Sequence, residues 1–190
     1  TDIAPQGDGV AVHEGTVNVP DAGAVLVWEG NVWERAPARD PAAADGRGRK
    51  APPTTPTTIL RALRFRVPAG SAPDFGRSRL RVTWDDRDRP SIDTPVALFF
   101  GAGTLYNRDA REFLVKGLPM VIRYDRALVE LSCYFPMPFF RRARIELIGA
   151  GAAIPGVRWH VRAVASTAPP EHLSYFHATY VDHGTPKPGH

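Results

Sequence analysis

Three carboxylates stand within four residues at Asp85, Asp86 and Asp88, on a segment that joins two stretches of alternating apolar residues. Oxygen ligands at this density could hold Ca²⁺, but the later glycine and distal glutamate of a helix-loop-helix calcium loop are missing. The alternative is a tight turn whose aspartates accept hydrogen bonds from backbone amides and pair with Arg87 and Arg89. We therefore predict a turn rather than a metal site.

Cleavage of a glycosidic bond requires two carboxylates that flank the sugar. Glu130 alternates with Leu131, and Glu146 lies between Ile145 and Leu147, so both acids point to the solvent side of predicted strands. Carboxylates in such positions are typical cross-strand partners of arginines. No catalytic pair is predicted from these residues.

The six histidines and the single cysteine show no metal-binding spacing. His172, His177 and His183 lie close to Asp182 but in no recognised ligand spacing, and His177 is better explained as a hydrogen-bonded core or cleft histidine than as a ligand. No basic residue adjoins Cys133, so we predict a buried small hydrophobe rather than a reactive thiolate. No metal and no cofactor is predicted.

An aromatic run from Tyr134 to Phe140 is the most unusual segment. Pro136 and Pro138 cannot donate to a β-ladder, and each proline pushes the residue before it to extended geometry. The segment therefore predicts an extended corner between sheets, not a central strand. Its large side chains must pack on the core, a sugar or another protein surface, which makes them interface candidates: Tyr134, Phe135, Met137, Phe139 and Phe140.

Charge and hydropathy exclude two classes of partner. Of the 24 basic residues 21 are arginines, and they alternate with apolar residues instead of clustering, which argues against nucleic-acid binding. No apolar run approaches the roughly 18 residues of a membrane span. With one cysteine no internal disulfide can form, so the compartment stays open between cytoplasm and export.

Period-two alternation recurs between glycine and proline turn signals, and it predicts nine or ten short strands. The clearest strands are Ile59 to Val67, Arg79 to Trp84 and Ala143 to Ile148, and we also predict strands at Ile92 to Phe100 and Ser174 to Val181. This pattern is typical of an all-β sandwich or barrel.

One domain is predicted over residues 1–181. Residues 35–58 lack any apolar pattern and form a long loop or insertion, and residues 182–190 form a polar linker or tail.

Three blocks of the sequence resemble glycoside hydrolase family 172. They are Trp84-Asp85-Asp86 with Pro90 to Val96 and Phe99-Phe100-Gly101, then Tyr134 to Phe139 with Ala143-Arg144-Ile145, and finally Tyr175-Phe176-His177-Ala178. Together the blocks span Arg79 to Tyr180.

The resemblance implies an antiparallel jelly-roll β-sandwich, the first of two tandem rolls arranged as in some viral capsid proteins. It also implies a homo-oligomer, trimer or hexamer, and retaining exo-hydrolysis of fructofuranose or arabinofuranose linkages at a junction between subunits. Trp84, Phe100 and His177 are the motif positions that could reach the substrate cleft.

The catalytic glutamate of the family sits in a Gly-Thr-Gly-Thr-Glu block, whereas here Gly101-Ala102-Gly103-Thr104 is followed by Leu105. The resemblance therefore carries over no catalytic residue. We expect the N-terminal jelly roll of a furanosidase-like hydrolase, which supplies scaffold, oligomer interface and sugar contacts. The alternatives are a capsid-like structural assembly protein without chemistry and a carbohydrate-binding jelly-roll module.

Overall fold

The computed structural model of the chain describes residues 2–32, 57–166, 168–182 and 184, and within these ranges it contains twelve strands in two sheets. The strands are β1 (Val10–Val19), β2 (Ala24–Asn31), β3 (Thr58–Pro68), β4 (Arg79–Trp84), β5 (Ile92–Pro95), β6 (Phe113–Lys116), β7 (Met120–Asp125), β8 (Leu128–Cys133), β9 (Met137–Phe139), β10 (Arg142–Ile148), β11 (Ile154–Ala165) and β12 (Ala178–Thr179).

Helical structure is limited to short pieces. The helices are α1 (Ala72–Arg77) and α2 (Val96–Phe99), and the 3₁₀ turns are Ala69–Ser71 and Pro170–His172. Across the described ranges, no helix is long and apolar enough to span a membrane.

The order of the strands within the sheets is that of a jelly roll. The first sheet runs β1-β11-β3-β8-β7-β6, with β9 also paired to β3, and the second runs β12-β5-β4-β10-β2. Among the described strands, the chain passes from one sheet to the other between β1 and β2, β2 and β3, β3 and β4, β5 and β6, β9 and β10, β10 and β11, and β11 and β12. These crossings place the first and last long strands side by side, as two Greek keys require. The predicted all-β jelly-roll sandwich is confirmed.

Alternation along the strands builds the core between the sheets. In β4 the side chains of Leu80, Val82 and Trp84 are buried while Arg81 and Thr83 between them are half-buried, as the sequence predicts. In β3, Phe65 and Val67 point inward in the same way. Burial of large side chains of this kind stabilises by about 1.5–3 kcal/mol each.

The aromatic run forms the corner between the sheets. β8 and β9 both pair with β3, and β10 then continues in the other sheet. Pro138 lies opposite Ile59 on an edge that, within the described residues, no further strand covers. An edge position suits a residue without an amide hydrogen. The predicted corner between sheets is confirmed.

The predicted strand from Ile92 to Phe100 is wrong in its second half. β5 ends at Pro95, and α2 follows, with the Phe100 amide donating to the Val96 carbonyl at 3.2 Å. Pro95 has no amide hydrogen to continue a ladder, and its fixed φ suits the residue before a helix. An apolar run alone does not distinguish a short buried helix from a buried strand.

The predicted strand from Ser174 to Val181 is also mostly wrong. Only Ala178–Thr179 form a strand, which runs parallel to β5. The residues before it form hydrogen bonds outside any β-ladder. The Phe176 carbonyl, for example, accepts from the Trp84 indole N–H at 2.9 Å.

Two further sequence predictions concern β1 and the loop over residues 35–58. β1 was not predicted, because His13, Glu14 and Gly15 interrupt its apolar pattern on a strand with one neighbour. The predicted loop over residues 35–58 lies outside the described residues apart from its last two, and Thr58 begins β3.

The loop that follows β10 packs tightly on the β1–β2 connection. The Gly149 amide donates to the Gly23 carbonyl at 2.9 Å, and a Cβ on Gly149 would lie well inside contact distance of the Pro20 carbonyl oxygen. The obstacle is backbone, which cannot move aside cheaply. Gly103 differs, because a Cβ there meets no atom within 4 Å.

We expect Gly149→Ala to lower the free energy of unfolding by about 2 kcal/mol, through steric overlap with backbone. Gly103→Ala is the control and should change it by less than about 0.5 kcal/mol. Urea unfolding followed by tryptophan fluorescence measures both. Equal stability of the two variants would show that the β1–β2 connection is not held in this position.

Candidate functional site

Three segments of the chain meet around Asp85, and the first of them is the turn after β4. Asp85 and Asp86 are consecutive left-handed residues with φ of 54° and 58°, and the Arg87 amide donates to the Trp84 carbonyl at 3.1 Å. Two left-handed residues in this position define a type I′ turn, which aspartate tolerates better than most residues.

The Asp85 carboxylate joins this turn to the corner between the sheets. It accepts the backbone amides of Phe140 at 2.9 Å, Arg141 at 2.6 Å and Arg142 at 2.9 Å. The Asp85 amide in turn donates to the Arg142 carbonyl at 2.7 Å. Three successive amides that converge on one anion form a strong, charge-assisted site. The carboxylate therefore fixes the path of the chain into β10.

Tyr175 brings in the third segment. Its hydroxyl donates to the second carboxylate oxygen of Asp85 at 2.7 Å. Burial, then the hydrogen bond and the negative charge of Asp85, raise the pKa of Tyr175 to about 12. The Arg87 guanidinium lies 4.7 Å from the centre of the tyrosine ring, and the edge of Phe140 packs against that ring at 5.3 Å. The phenol is thus held as a neutral donor.

We name this group the corner cluster: Asp85, Arg87, Phe140, Tyr175 and His177. His177 lies at its exposed end, with its ring 6.5 Å from that of Tyr175. The predicted pairing of the aspartates with Arg87 and Arg89 is wrong. Asp86 pairs with Arg142, whose Nε lies 2.6 Å from Oδ1, and Arg87 covers Tyr175 instead.

The three predicted cleft residues are not equivalent in the structure. Trp84 and Phe100 are both fully buried. The Trp84 ring lies parallel to Phe139, and Phe100 makes an edge contact with Phe65 at 6.2 Å. Both side chains pack the core of this chain, and of the three only His177 is exposed to solvent.

The five interface candidates also differ in how deeply they are buried. Met137 and Phe139 are buried as part of β9, and Tyr134 is nearly so, with its hydroxyl accepting from Arg64 at 2.7 Å. Phe135 and Phe140 keep exposed surface. Any contact with another protein at this corner would therefore be made through these two rings.

The two glutamates considered for glycoside cleavage lie in ion pairs. Glu130 binds Arg66 on the neighbouring strand at 2.6 Å, as predicted. The predicted cross-strand pairing is wrong for Glu146, which binds Arg144 two residues away on its own strand at 2.8 Å. Within the ranges that the structure covers, no three His, Cys, Asp or Glu residues are grouped so that they could hold a metal. Cys133 is buried, which raises the pKa of its thiol to about 12 and keeps it protonated.

A cavity of about 680 Å³ lies between the loop at residues 105–112 and the β7–β8 turn. Tyr106 stands at its edge with 63% of its surface exposed. We call this the Tyr106 cavity; its polar lining consists of Asn107, Arg111, Glu112, Arg123, Asp125 and Arg126.

The loop of the Tyr106 cavity is held in place by side chains. Asn107 donates to the Arg111 carbonyl at 2.7 Å and accepts from the Arg111 amide at 3.0 Å. The Tyr124 hydroxyl donates to the Leu105 carbonyl. Sequence reasoning missed this site because its walls come from two separate loops; the exposed tyrosine next to an asparagine was its only local signal.

The fold and the corner cluster define a jelly-roll β-sandwich in which one half-buried carboxylate holds the corner between the sheets. Residues 76–154 match the family model described as GH172 domain-like, and this part of the chain is therefore related to glycoside hydrolase family 172. The matched residues include the Asp85 turn, most of the Tyr106 cavity and the corner, whereas Tyr175 and His177 follow them. A search of curated proteins found no match to the chain.

Asp85→Asn should lower the free energy of unfolding by about 2–3 kcal/mol, because the amide loses the charge that three backbone donors and a phenol bind. Asparagine also tolerates the left-handed conformation, so the turn itself is preserved. The control is Asp86→Asn, which removes an exposed ion pair and should cost less than about 1 kcal/mol. Chemical denaturation of both variants provides the comparison, and equal losses would contradict the central role of Asp85.

Alkaline stability should depend on Tyr175. Its pKa is about 12 in the folded chain, against about 10 for an ordinary tyrosine. The protonated phenol is therefore favoured by folding, so its contribution is complete below about pH 10 and is lost as the pH rises toward 12. We expect the stability difference between the wild-type protein and Tyr175→Phe to shrink across this window. A constant difference would show that the Tyr175–Asp85 bond does not form.

Proposed function

We propose that the chain is the N-terminal jelly roll of a glycoside hydrolase that acts on fructofuranose or arabinofuranose linkages. The family match over residues 76–154 is the observation that carries this proposal. In this proposal the catalytic glutamates come from a second jelly roll, and the present roll supplies scaffold, oligomer contacts and sugar contacts.

The scaffold role rests on the corner cluster. The carboxylate of Asp85 is occupied by three backbone amides and the Tyr175 hydroxyl, so it is committed to structure. Such a corner can hold His177 and Arg87 at fixed positions on the surface, where they could contact a substrate bound at the edge of the roll. Rigid support of this kind is what a shared active site requires.

The sugar contacts are assigned to the Tyr106 cavity. Its volume of about 680 Å³ lies in the range of small-molecule sites. Tyr106 offers an exposed ring for the apolar face of a sugar, and Arg126 and Asp125 offer donors and acceptors for hydroxyl groups.

The oligomer contacts are assigned to an apolar groove of about 440 Å³ beside α2 and β12. Phe135 and Phe176 pack against each other in its wall, with ring centres 5.4 Å apart, and Leu98 and Tyr180 are 40% and 39% exposed. We propose that a neighbouring jelly roll, within a trimer or hexamer, covers this groove.

A structural assembly protein without chemistry is the second candidate, and a carbohydrate-binding module is the third. Both are favoured if no second roll supplies catalytic glutamates, because Glu130 and Glu146 of the present roll are held in ion pairs. Oligomeric state and turnover together distinguish the three functions.

The test is turnover of aryl α-arabinofuranosides and fructofuranosides by the full-length gene product, with its oligomeric state measured by light scattering. We expect hydrolysis by a trimer or hexamer, and a reduction of about tenfold or more in kcat/KM for Tyr106→Ala, which removes the ring face. Leu118→Ala, at an exposed apolar residue outside the cavity, is the control. Absence of turnover from a confirmed trimer would contradict the hydrolase and leave the structural assembly protein.

A further inference from the structure

The outer face of the first sheet carries polar side chains in two cross-strand rows. In one row Thr16, Arg158, Arg66 and Glu130 lie opposite one another across β1, β11, β3 and β8. In the next row Glu14, His160, Arg64 and Ser132 do the same. A cavity of about 400 Å³ lies over the residues of these two rows that belong to β1, β11 and β3. We call this surface the arginine face.

Arg158 is the cation of this face that has no acidic partner among the described residues. It lies directly opposite Arg66, and like charges in that arrangement repel. Arg66 is compensated by Glu130 at 2.6 Å, whereas Arg158 is exposed and contacts no acid within the described residues. An anion placed between the two guanidinium groups would remove this repulsion.

A neighbouring pair of arginines shows which anion fits. Arg64 and Arg162 hold the Asp2 carboxylate between them at 2.6 Å and 2.7 Å, and both side chains are only 13% exposed. Burial is the largest influence on the pKa of Asp2 and raises it, but the hydrogen bond from the Ala4 amide and then the two arginines outweigh burial, so the pKa is lowered. Paired arginines on this face therefore already bind a carboxylate, with the planar fork geometry that lysine lacks.

The rest of the cavity wall suits hydroxyl groups. Burial, then the charges of Arg162 and Arg64, lower the pKa of His160, so the ring is neutral at pH 7. Its Nε2 accepts from Arg162 at 3.1 Å, which leaves Nδ1 as a donor near Glu14. Glu14 is 77% exposed, so at the rim of the cavity it can accept a hydrogen bond from a hydroxyl group while its charge is largely screened by water.

We propose that the arginine face binds a uronic acid unit of a carbohydrate, with Arg158 and Arg66 on the carboxylate and His160, Thr16 and Glu14 on ring hydroxyls. The choice of a sugar acid over other carboxylates rests on the proposed carbohydrate function. The carboxylate preference rests on the two arginine pairs alone.

The experiment is calorimetric or NMR titration of the purified protein at low salt with D-glucuronate, D-glucose and glutarate. We expect glucuronate to bind at least tenfold more tightly than either of the others, because only it offers both a carboxylate and a hydroxylated ring. Equal binding of glucuronate and glucose would overturn the carboxylate contact. Equal binding of glucuronate and glutarate would overturn the sugar and leave a simple anion patch.

Variants locate the site. Arg158→Ala should weaken glucuronate binding by about tenfold or more, and Arg158→Lys, which keeps the charge without the fork, by a smaller factor. Arg89→Ala removes an exposed arginine in the loop between β4 and β5, at the other sheet, and should leave binding unchanged. An unchanged affinity in Arg158→Ala would overturn the proposal. Because binding is measured without turnover, its failure is separate from a failure of the furanosidase assay.

Discussion

The path of the chain between its two sheets depends on the carboxylate of Asp85. The chain leaves β9 and must enter β10 in the opposite sheet, so the amides of residues 140–142 turn away from the ladder of the first sheet. A buried amide without an acceptor costs about 1–3 kcal/mol. Asp85 supplies one acceptor group for all three, and the negative charge makes each bond stronger. The turn after β4 is left-handed at Asp85 and Asp86, which places the carboxylate where the corner needs it.

The same carboxylate explains why the segment before β12 is irregular. Tyr175 and the Phe176 carbonyl are both engaged by the β4 end, through Asp85 and the Trp84 indole. A strand there would direct those groups to a neighbouring ladder instead. The segment is thus bound to the end of β4 through Trp84 and Asp85, and it exposes His177. The contacts that hold this segment at the corner therefore also determine that His177 is exposed on the surface.

What the sequence could predict follows from the range of the interactions. Alternation is local, so β3, β4 and β10 were found, and the prolines located the corner. The partner of Asp86 lies 56 residues away and could not be read from neighbouring residues, which suggested Arg87 instead of Arg142. The Tyr106 cavity was missed for the same reason. The helix after Pro95 was missed because four apolar residues fit a buried strand equally well.

The arginines show how a structural requirement and a binding site can share one residue type. On a solvated sheet face, long cations cover apolar surface with their stems and pair with acids on adjacent strands. Arg66 and Arg142 follow this rule, with Glu130 and Asp86 as partners. Arg158 lies opposite Arg66 on β11 and pairs with no acid in the part of the chain that the structure describes. An arginine whose cross-strand neighbour is another arginine adds repulsion to the fold unless an acid compensates it, as Glu130 does for Arg66. The proposed uronate would supply that compensating charge at Arg158.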